Sequence, residues 1–400
     1  MSSCLLKNMS NNNLQIKDKV AQEKRHWIRL TRVCNNNCLF CLDKENQNGK
    51  IIPVGEVMKK LEQGRREKAS RAILSGGEPT LHPQIIKIIK EAKKLGYSHT
   101  QLISNGRLLA SEKFVKKLKE AGLDEITLSL HSHRKKDFEA TTGIKGSYLQ
   151  AMQGLVNALK HNFIVSVDIV INKINYKTLK NTLIFFTKLG VTEFDLLQVT
   201  PFGGAWLNKE KVFYSASKAS KYLNEAFELS KNKDLFIWTN RLPAIHLEGY
   251  ENLIQQPIKL KDEIKERRRE FENYLAADIP LPCFGKRCRY CFIAGFCQDL
   301  TALKKFKILK SKSGPFCLAK NNGLNQKKKI WQFQKKLNWD NFLNFYIKNR
   351  YFVKSLRCKK CRYDNRCDGA WIQDIREKGF KILRPVKKQN ATKTKIIWLK

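Results

Sequence analysis

Short apolar runs alternate with longer runs of helical period along the first half of the chain. Strand-like segments fall at WIRLTRV (27–33), RAILSGG (71–77), HTQLISNG (99–106), EITLSLHS (125–132), IVSVDIVIN (164–172) and EFDLLQVTPFG (193–203). Residues 54–68, 83–97, 111–122, 147–162 and 175–190 instead repeat apolar positions at the spacing of an amphipathic helix. Three of these helices run into Gly96, Gly122 or Gly190, residues suited to a left-handed C-cap. Six strands joined by five helices predict an α/β class with a parallel sheet and helices outside it. In such folds ligands sit at the C-terminal ends of the strands. The polar and glycine-rich pieces fall there: a cysteine loop after strand one, Gly76, Gly77 and Glu78 after strand two, Ser104 to Gly106 after strand three, and Ser129 and His131 at the end of strand four.

The pattern changes beyond residue 205. Residues 1–24 predict a polar tail, 25–205 the α/β domain, 206–279 a charged helical connector, 280–370 a small cysteine-rich domain and 371–400 a basic tail. KDEIKERRREFENYL (261–275) has the charge density of a solvated helix face. In NWDNFLNFYIKNRYF (338–352), Trp339, Phe342, Leu343, Tyr346 and Ile347 recur at helical spacing, which predicts a packed amphipathic helix rather than a stacking platform for single-stranded nucleic acid.

Composition adds two constraints. The 400 residues include 12 cysteines, and their 42% apolar content supports a real core. No apolar run approaches a membrane span, and the first residues lack a signal-peptide core. A cytoplasmic location follows as the expectation, where thiols stay reduced and clustered cysteines point to metal or redox chemistry. The formal charge is +41, from 77 Lys and Arg against 36 Asp and Glu. An AT-rich coding bias would raise Lys, Asn, Ile and Phe, but it would raise Glu too, and acids are scarce. The balance favours an acidic partner, either a peptide or protein substrate or RNA.

CNNNCLFC (34–41) places three cysteines in eight residues, and the next cysteine is Cys283. Closed metal sites use four protein ligands. Three thiolates on a cubane of four irons leave one iron open, as a catalytic zinc site keeps one open position. A molecule chelating through an amine and a carboxylate, such as S-adenosylmethionine, suits that vacancy.

On these residues the segment resembles the radical S-adenosylmethionine (radical SAM) superfamily, whose cysteine loop has the form C-x-x-x-C-x-aromatic-C. SGGEPTLHP (75–83) is similar to that family's second motif. The resemblance implies a partial (β/α)6 TIM-like barrel followed by a cysteine-rich iron–sulfur domain. It implies that Cys34, Cys38 and Cys41 ligate a 4Fe–4S cluster, that Phe40 packs beside cluster and adenine, and that Gly76, Gly77 and Glu78 meet the methionine amino group. Ser129, Asn172, Leu197 and Gln198 are expected at the cofactor as well, while Ser129, His131 and Asn172 read equally as ordinary strand-end polar residues. Many relatives carry an arginine after strand four that holds the cofactor carboxylate; FEATTGIKGSY (138–148) has none. An external electron donor such as ferredoxin or flavodoxin is implied too.

CFGKRCRYCFIAGFC (283–297) and CKKCRYDNRC (358–367) both contain C-x2-C-x5-C. This spacing resembles the SPASM extension of radical enzymes that modify peptides, although the triplet is duplicated and one SPASM cysteine is absent. The resemblance implies two auxiliary 4Fe–4S clusters, with Cys4 left out. One partition joins Cys288, Cys291, Cys297 and Cys317, and Cys283 with Cys358, Cys361 and Cys367. The other joins Cys283, Cys288, Cys291 and Cys297, and Cys317 with Cys358, Cys361 and Cys367. Structural zinc is the competing occupant. The function expected is a radical SAM enzyme acting on a peptide or protein side chain, with RNA as the alternative substrate and a non-catalytic, metal-binding nucleic-acid protein as the competitor from another class. His246 and Glu248 stand close in sequence, but no chemistry attaches to them.

Overall fold

The computed structural model describes residues 23–277, 279–315, 317, 329–333 and 337–386. Most of the expected polar N-terminal tail and the end of the basic C-terminal tail lie outside them. The chain divides into two compact units, residues 1–242 with 283–292 and residues 243–282 with 293–400.

The first unit is built on a parallel sheet of seven strands: β1 (Arg25–Thr31), β2 (Arg71–Gly76), β3 (His99–Ser104), β4 (Glu125–Ser129), β5 (Ile164–Ile171), β6 (Glu193–Gln198) and β7 (Phe236–Asn240). Their spatial order is their sequence order, and each pairs in parallel with the next. That is the winding of a (β/α) barrel. Among the described residues β7 does not pair with β1, so the barrel is open. Six strands were expected; the seventh lies in the segment expected as a helical connector. FIWTN (236–240) is too short to stand out beside charged neighbours, yet it alternates in burial and extends the sheet.

The helices α1 (Val54–Arg66), α2 (Ile85–Lys94), α3 (Glu112–Glu120), α4 (Lys135–Thr142), α5 (Ser147–Lys160) and α6 (Leu179–Lys188) connect the strands. All but α4 bury an apolar stripe; in α2 it is Ile85, Ile88, Ile89 and Ala92. Ser111 caps α3 with its hydroxyl. Gly96, Gly122 and Gly190 all have positive φ where their helices end. Helix α4 was not expected from the sequence pattern.

The second unit packs around aromatic residues. The helix Trp339–Asn349 buries Trp339, Phe342, Leu343 and Tyr346, as its spacing predicted. Phe296 meets Phe271, Phe342 and Tyr346 at centroid distances of 5.6, 5.9 and 5.0 Å. Phe271 belongs to the charged stretch expected as a solvated face, so that stretch has an apolar inner side. Arg350 grips the mostly buried Asp299 through two hydrogen bonds of 2.8 and 2.5 Å.

Candidate iron–sulfur and cofactor site

The cysteine loop follows β1 and is tied down on every side. The amides of Gly77 and Glu78 donate to Thr31 O (2.8 Å) and Val33 O (2.7 Å), which joins the ends of β1 and β2. The last carbonyls of a helix lack partners within it. In α4 these are supplied by the loop, with Asn37 N donating to Thr142 O (2.8 Å) and Leu39 N to Thr141 O (3.0 Å). Gly204 N donates to Cys41 O (2.8 Å), and Asn208 Nδ2 to Leu39 O (3.1 Å). Two glycines make these approaches feasible. A Cβ on Gly77 would lie 2.1 Å from Val33 O; one on Gly203, which has φ +50°, would lie 2.6 Å from Cys41 O.

Cys41 raises the pKa of Cys34, and Cys34 and Cys41 both raise that of Cys38. Burial pushes the Cys34 thiol up to about 11, and the neighbouring charges of Glu78 and Cys41 add to this. Burial drives Cys38 up further, with Cys34 and Cys41 adding, and Cys41 is also raised by burial first. Three such thiols ionise together only against a strong local positive charge, which iron supplies. Two N–H groups already point at the sulfurs: Asn36 N to Cys34 Sγ and Gln47 Nε2 to Cys41 Sγ, both at 3.4 Å. Among the described residues no three cysteine, histidine or carboxylate groups are close enough to grip a single metal ion. Three thiolates that sense one another leave one iron of a four-iron group open, and the donor set of the loop suits a 4Fe–4S cluster.

The other expected residues separate into two groups. Phe40 is buried, and the His131 ring meets it edge-on at 4.7 Å. Burial lowers the His131 pKa to about 3, and its Nδ1 accepts from Val170 N (3.3 Å), so this histidine is a neutral packing partner. Ser129 ends β4 partly exposed; Leu197 and Gln198 end β6 partly exposed, with Gln198 accepting from Tyr214 OH. Asn172 is wholly buried, its side chain bonded to Ile174 N and Val170 O within its own turn, which is the strand-end role. Glu78 is buried and receives four protein donors: Thr80 N and Oγ1, Ser104 Oγ and Asn105 N, at 2.6 to 3.1 Å. Burial raises its pKa against those hydrogen bonds. Its visible task is to clip the ends of β2 and β3 together.

Three contributors were not among the residues expected at the cofactor. Asn105 Nδ2 donates to Asn35 Oδ1 (2.6 Å), Arg107 Nη1 donates to Asn35 O, and α4 supplies the carbonyls named above. The polar SNGR stretch (104–107) was the available signal for the first two.

Among the C-terminal cysteines, Cys317, Cys358, Cys361 and Cys367 line one cavity with Lys354, Tyr363 and Asp364. Backbone N–H groups of Arg384, Tyr363 and Gly369 point at the sulfurs of Cys317, Cys361 and Cys367, at 3.3 to 3.5 Å. Burial raises the Cys358 pKa, as do the other three thiols. Cys317 thus lines a cavity with the last triplet, as in the second partition, and Cys283 is not among the residues lining it. Spacing alone does not choose between the partitions, because Cys317 follows the strand Ile308–Lys310, which pairs with Ile330–Gln332, and sequence distance does not report where such a segment leads. Cys283, Cys288 and Cys291 belong to the first unit and the buried Cys297 to the second. None of the described cysteines is in a disulfide.

A parallel, open (β/α) barrel with three thiols on the loop after its first strand defines a domain built for an open iron–sulfur group. Residues 28–186 match the family described as the Radical SAM superfamily. Relatives include a probable GTP 3',8-cyclase of Sulfurisphaera tokodaii, 32% identical over 178 residues (44% of this chain, 56% of the relative). Another, of Saccharolobus islandicus, is 30% identical over 44% of this chain and 57% of its own length. The chain thus spans about half the length of these relatives. Among solved structures, Streptococcus suis SuiB bound to precursor peptide SuiA aligns at TM-score 0.48 and 17% identity over 94% of this chain and 78% of SuiB. Native anSMEcpe with bound AdoMet and a peptide aligns at TM-score 0.45 and 16% identity over 53% and 63%. No helix among the described residues is long and apolar enough to cross a membrane.

Proposed function

We propose that the protein is a radical SAM enzyme that modifies a peptide or protein side chain. The observation that carries the radical part is the three-thiol loop, held between β1, β2 and α4 with its thiols raised by burial and by one another. Cys34, Cys38 and Cys41 would hold the 4Fe–4S cluster. Gly76, Gly77, Ser129, Leu197 and Gln198 would line S-adenosylmethionine. When bound, the pair supplies one chemistry: one-electron reductive cleavage of the sulfonium to methionine and a 5'-deoxyadenosyl radical, which abstracts a substrate hydrogen. The chain's own residues prepare the place. Phe40 and the neutral His131 exclude water from one side, and Glu78 fixes the ends of β2 and β3.

The peptide part rests on the SPASM-like cysteines and the basic surface. Cys317, Cys358, Cys361 and Cys367 line one cavity and would serve as the four ligands of a closed auxiliary cluster that carries electrons rather than binding substrate. The remaining C-terminal cysteines leave the count open for a second auxiliary cluster. A ferredoxin or flavodoxin would deliver the electron, and a reducing cytoplasm goes with this reading. The name shared by the sequence relatives favours a second reading, a nucleoside triphosphate substrate.

The test is anaerobic reconstitution followed by assay of 5'-deoxyadenosine with acidic peptides, GTP or RNA. Peptide-dependent turnover with a mass change in the peptide supports the first reading; turnover with GTP alone replaces it with the second. A Cys38→Ala protein that still makes 5'-deoxyadenosine at the parent rate sinks both.

A further inference from the structure

We propose that Arg107 is the cation that recognises the carboxylate of S-adenosylmethionine. The inference rests on the radical SAM reading and names a specificity residue within it. The amino-acid head of that molecule brings a carboxylate beside the cysteine loop, and a carboxylate held away from bulk water calls for a charged donor.

The cations around the loop differ in what they already hold. Arg29 and Arg32 both face Asp43. Arg134, beyond β4, pairs with Asp137 at 3.4 Å. Lys44 donates to Asn37 Oδ1 (2.6 Å) at an exposed position. Arg107 is partly buried at the end of β3, and its acceptors are all neutral. Nη1 donates to Asn35 O and to Asn36 Oδ1 (3.2 Å), and Nε to Gln150 Oε1 (2.6 Å). Among the described residues it has no carboxylate partner, and Nη2 makes no hydrogen bond.

These contacts also orient the group. The guanidinium bonds to the two residues that follow Cys34, and the amide of the second of them points at Cys34 Sγ. Asn105 holds both sides of the arrangement, accepting from Arg107 N (3.0 Å) and donating to Asn35 Oδ1 (2.6 Å). One edge of a planar fork is therefore clamped against the loop, and the remaining donors are left for an anion. Lysine could not divide its roles in this way.

The experiment measures binding rather than turnover. The cluster-loaded full chain is titrated with S-adenosylmethionine and with its decarboxylated analogue, for the parent, Arg107→Gln, Arg107→Lys and Lys44→Gln, with iron content checked on each. For Arg107→Gln, affinity for S-adenosylmethionine should fall about tenfold or more, while affinity for the decarboxylated form stays within about twofold. Lys44→Gln should keep the parent's preference between the two ligands. Equal weakening of both ligands in Arg107→Gln would mean that Arg107 only shapes the loop, and overturns the proposal. Unchanged affinities, or a preference lost in Lys44→Gln instead, overturn it too. If Arg107→Gln does not retain iron, Arg107→Lys decides: the preference should drop about threefold or more, and an unchanged preference refutes the assignment. A loaded parent that binds neither ligand overturns the radical SAM reading itself.

Discussion

Replacing Gly77 by alanine tests whether the cysteine loop depends on close backbone contact. The new Cβ would meet Val33 O at 2.1 Å, about 1.3 Å short of ordinary contact. Both partners are main chain, so no side chain can swing away. The two segments are also tied by Gly77 N to Thr31 O at 2.8 Å and Glu78 N to Val33 O at 2.7 Å. Moving them apart far enough to seat a methyl group breaks both bonds and strands their donors and acceptors in the interior. At about 1–3 kcal/mol for each such loss, the cost is about 2–6 kcal/mol. That is a large share of a typical stability of about 5–15 kcal/mol. Gly55→Ala is the matched control. Gly55 is exposed in α1 with nothing within 4 Å of its would-be Cβ, so alanine there should stabilise by about 0.5–1 kcal/mol. Urea denaturation of the parent and both variants, with iron measured on the reconstituted proteins, reads out the comparison. A Gly77→Ala protein within about 0.5 kcal/mol of the parent and with full iron would refute the claim that this contact holds the loop.

Other measurements bear on the remaining features. Three clusters correspond to about twelve irons per chain, and a triple alanine variant at Cys358, Cys361 and Cys367 should fall to about eight, because Cys317 alone cannot hold a cluster; zinc near two equivalents with only about four irons in the parent would replace the auxiliary clusters with structural zinc. Burial raises the Asp195 carboxyl to about 6, with Asn240 and the charges of Arg241 and Arg25 opposing. A raised acid favours folding while protonated, so its contribution is full below its ordinary value and is lost as pH rises to about 6. Asp195→Asn should therefore gain stability relative to the parent between pH 4 and 7, and parallel stability profiles would contradict this. With 77 basic against 36 acidic residues, binding of the true macromolecular partner should weaken steeply as salt rises; affinity that stays flat from low to physiological salt would remove the basic surface from recognition.

The sheet was legible because parallel strands buried on both faces carry dense apolar runs, and helices betray themselves by period. ITLS in β4 and IVSVDIVI in β5 could hardly be anything else. The elements missed are those without a strong period. β7 has five residues amid charged neighbours, and α4, KKDFEATT, has one deeply buried large side chain in Phe138. Tertiary contact decides such segments: β7 is a strand because β6 offers an edge, and α4 matters because its terminal carbonyls receive the cysteine loop.

The site divides along a similar physical line. Cys34, Cys38 and Cys41 were legible because one short loop carries all three ligands, so spacing alone defines the set. Cys358, Cys361 and Cys367 share that property. Cys317 does not: about forty residues of chain separate it from the triplet it joins, and loop closure over that length costs little more than over twenty. Entropy therefore cannot choose between the partitions; the cavity that the four thiols line and the N–H groups aimed at three of them favour the second. Arg107 was hidden for a related reason. A lone arginine among 77 basic residues carries no spacing signal, and only the surroundings it folds into, neutral acceptors beside a thiol loop, mark it off from the rest.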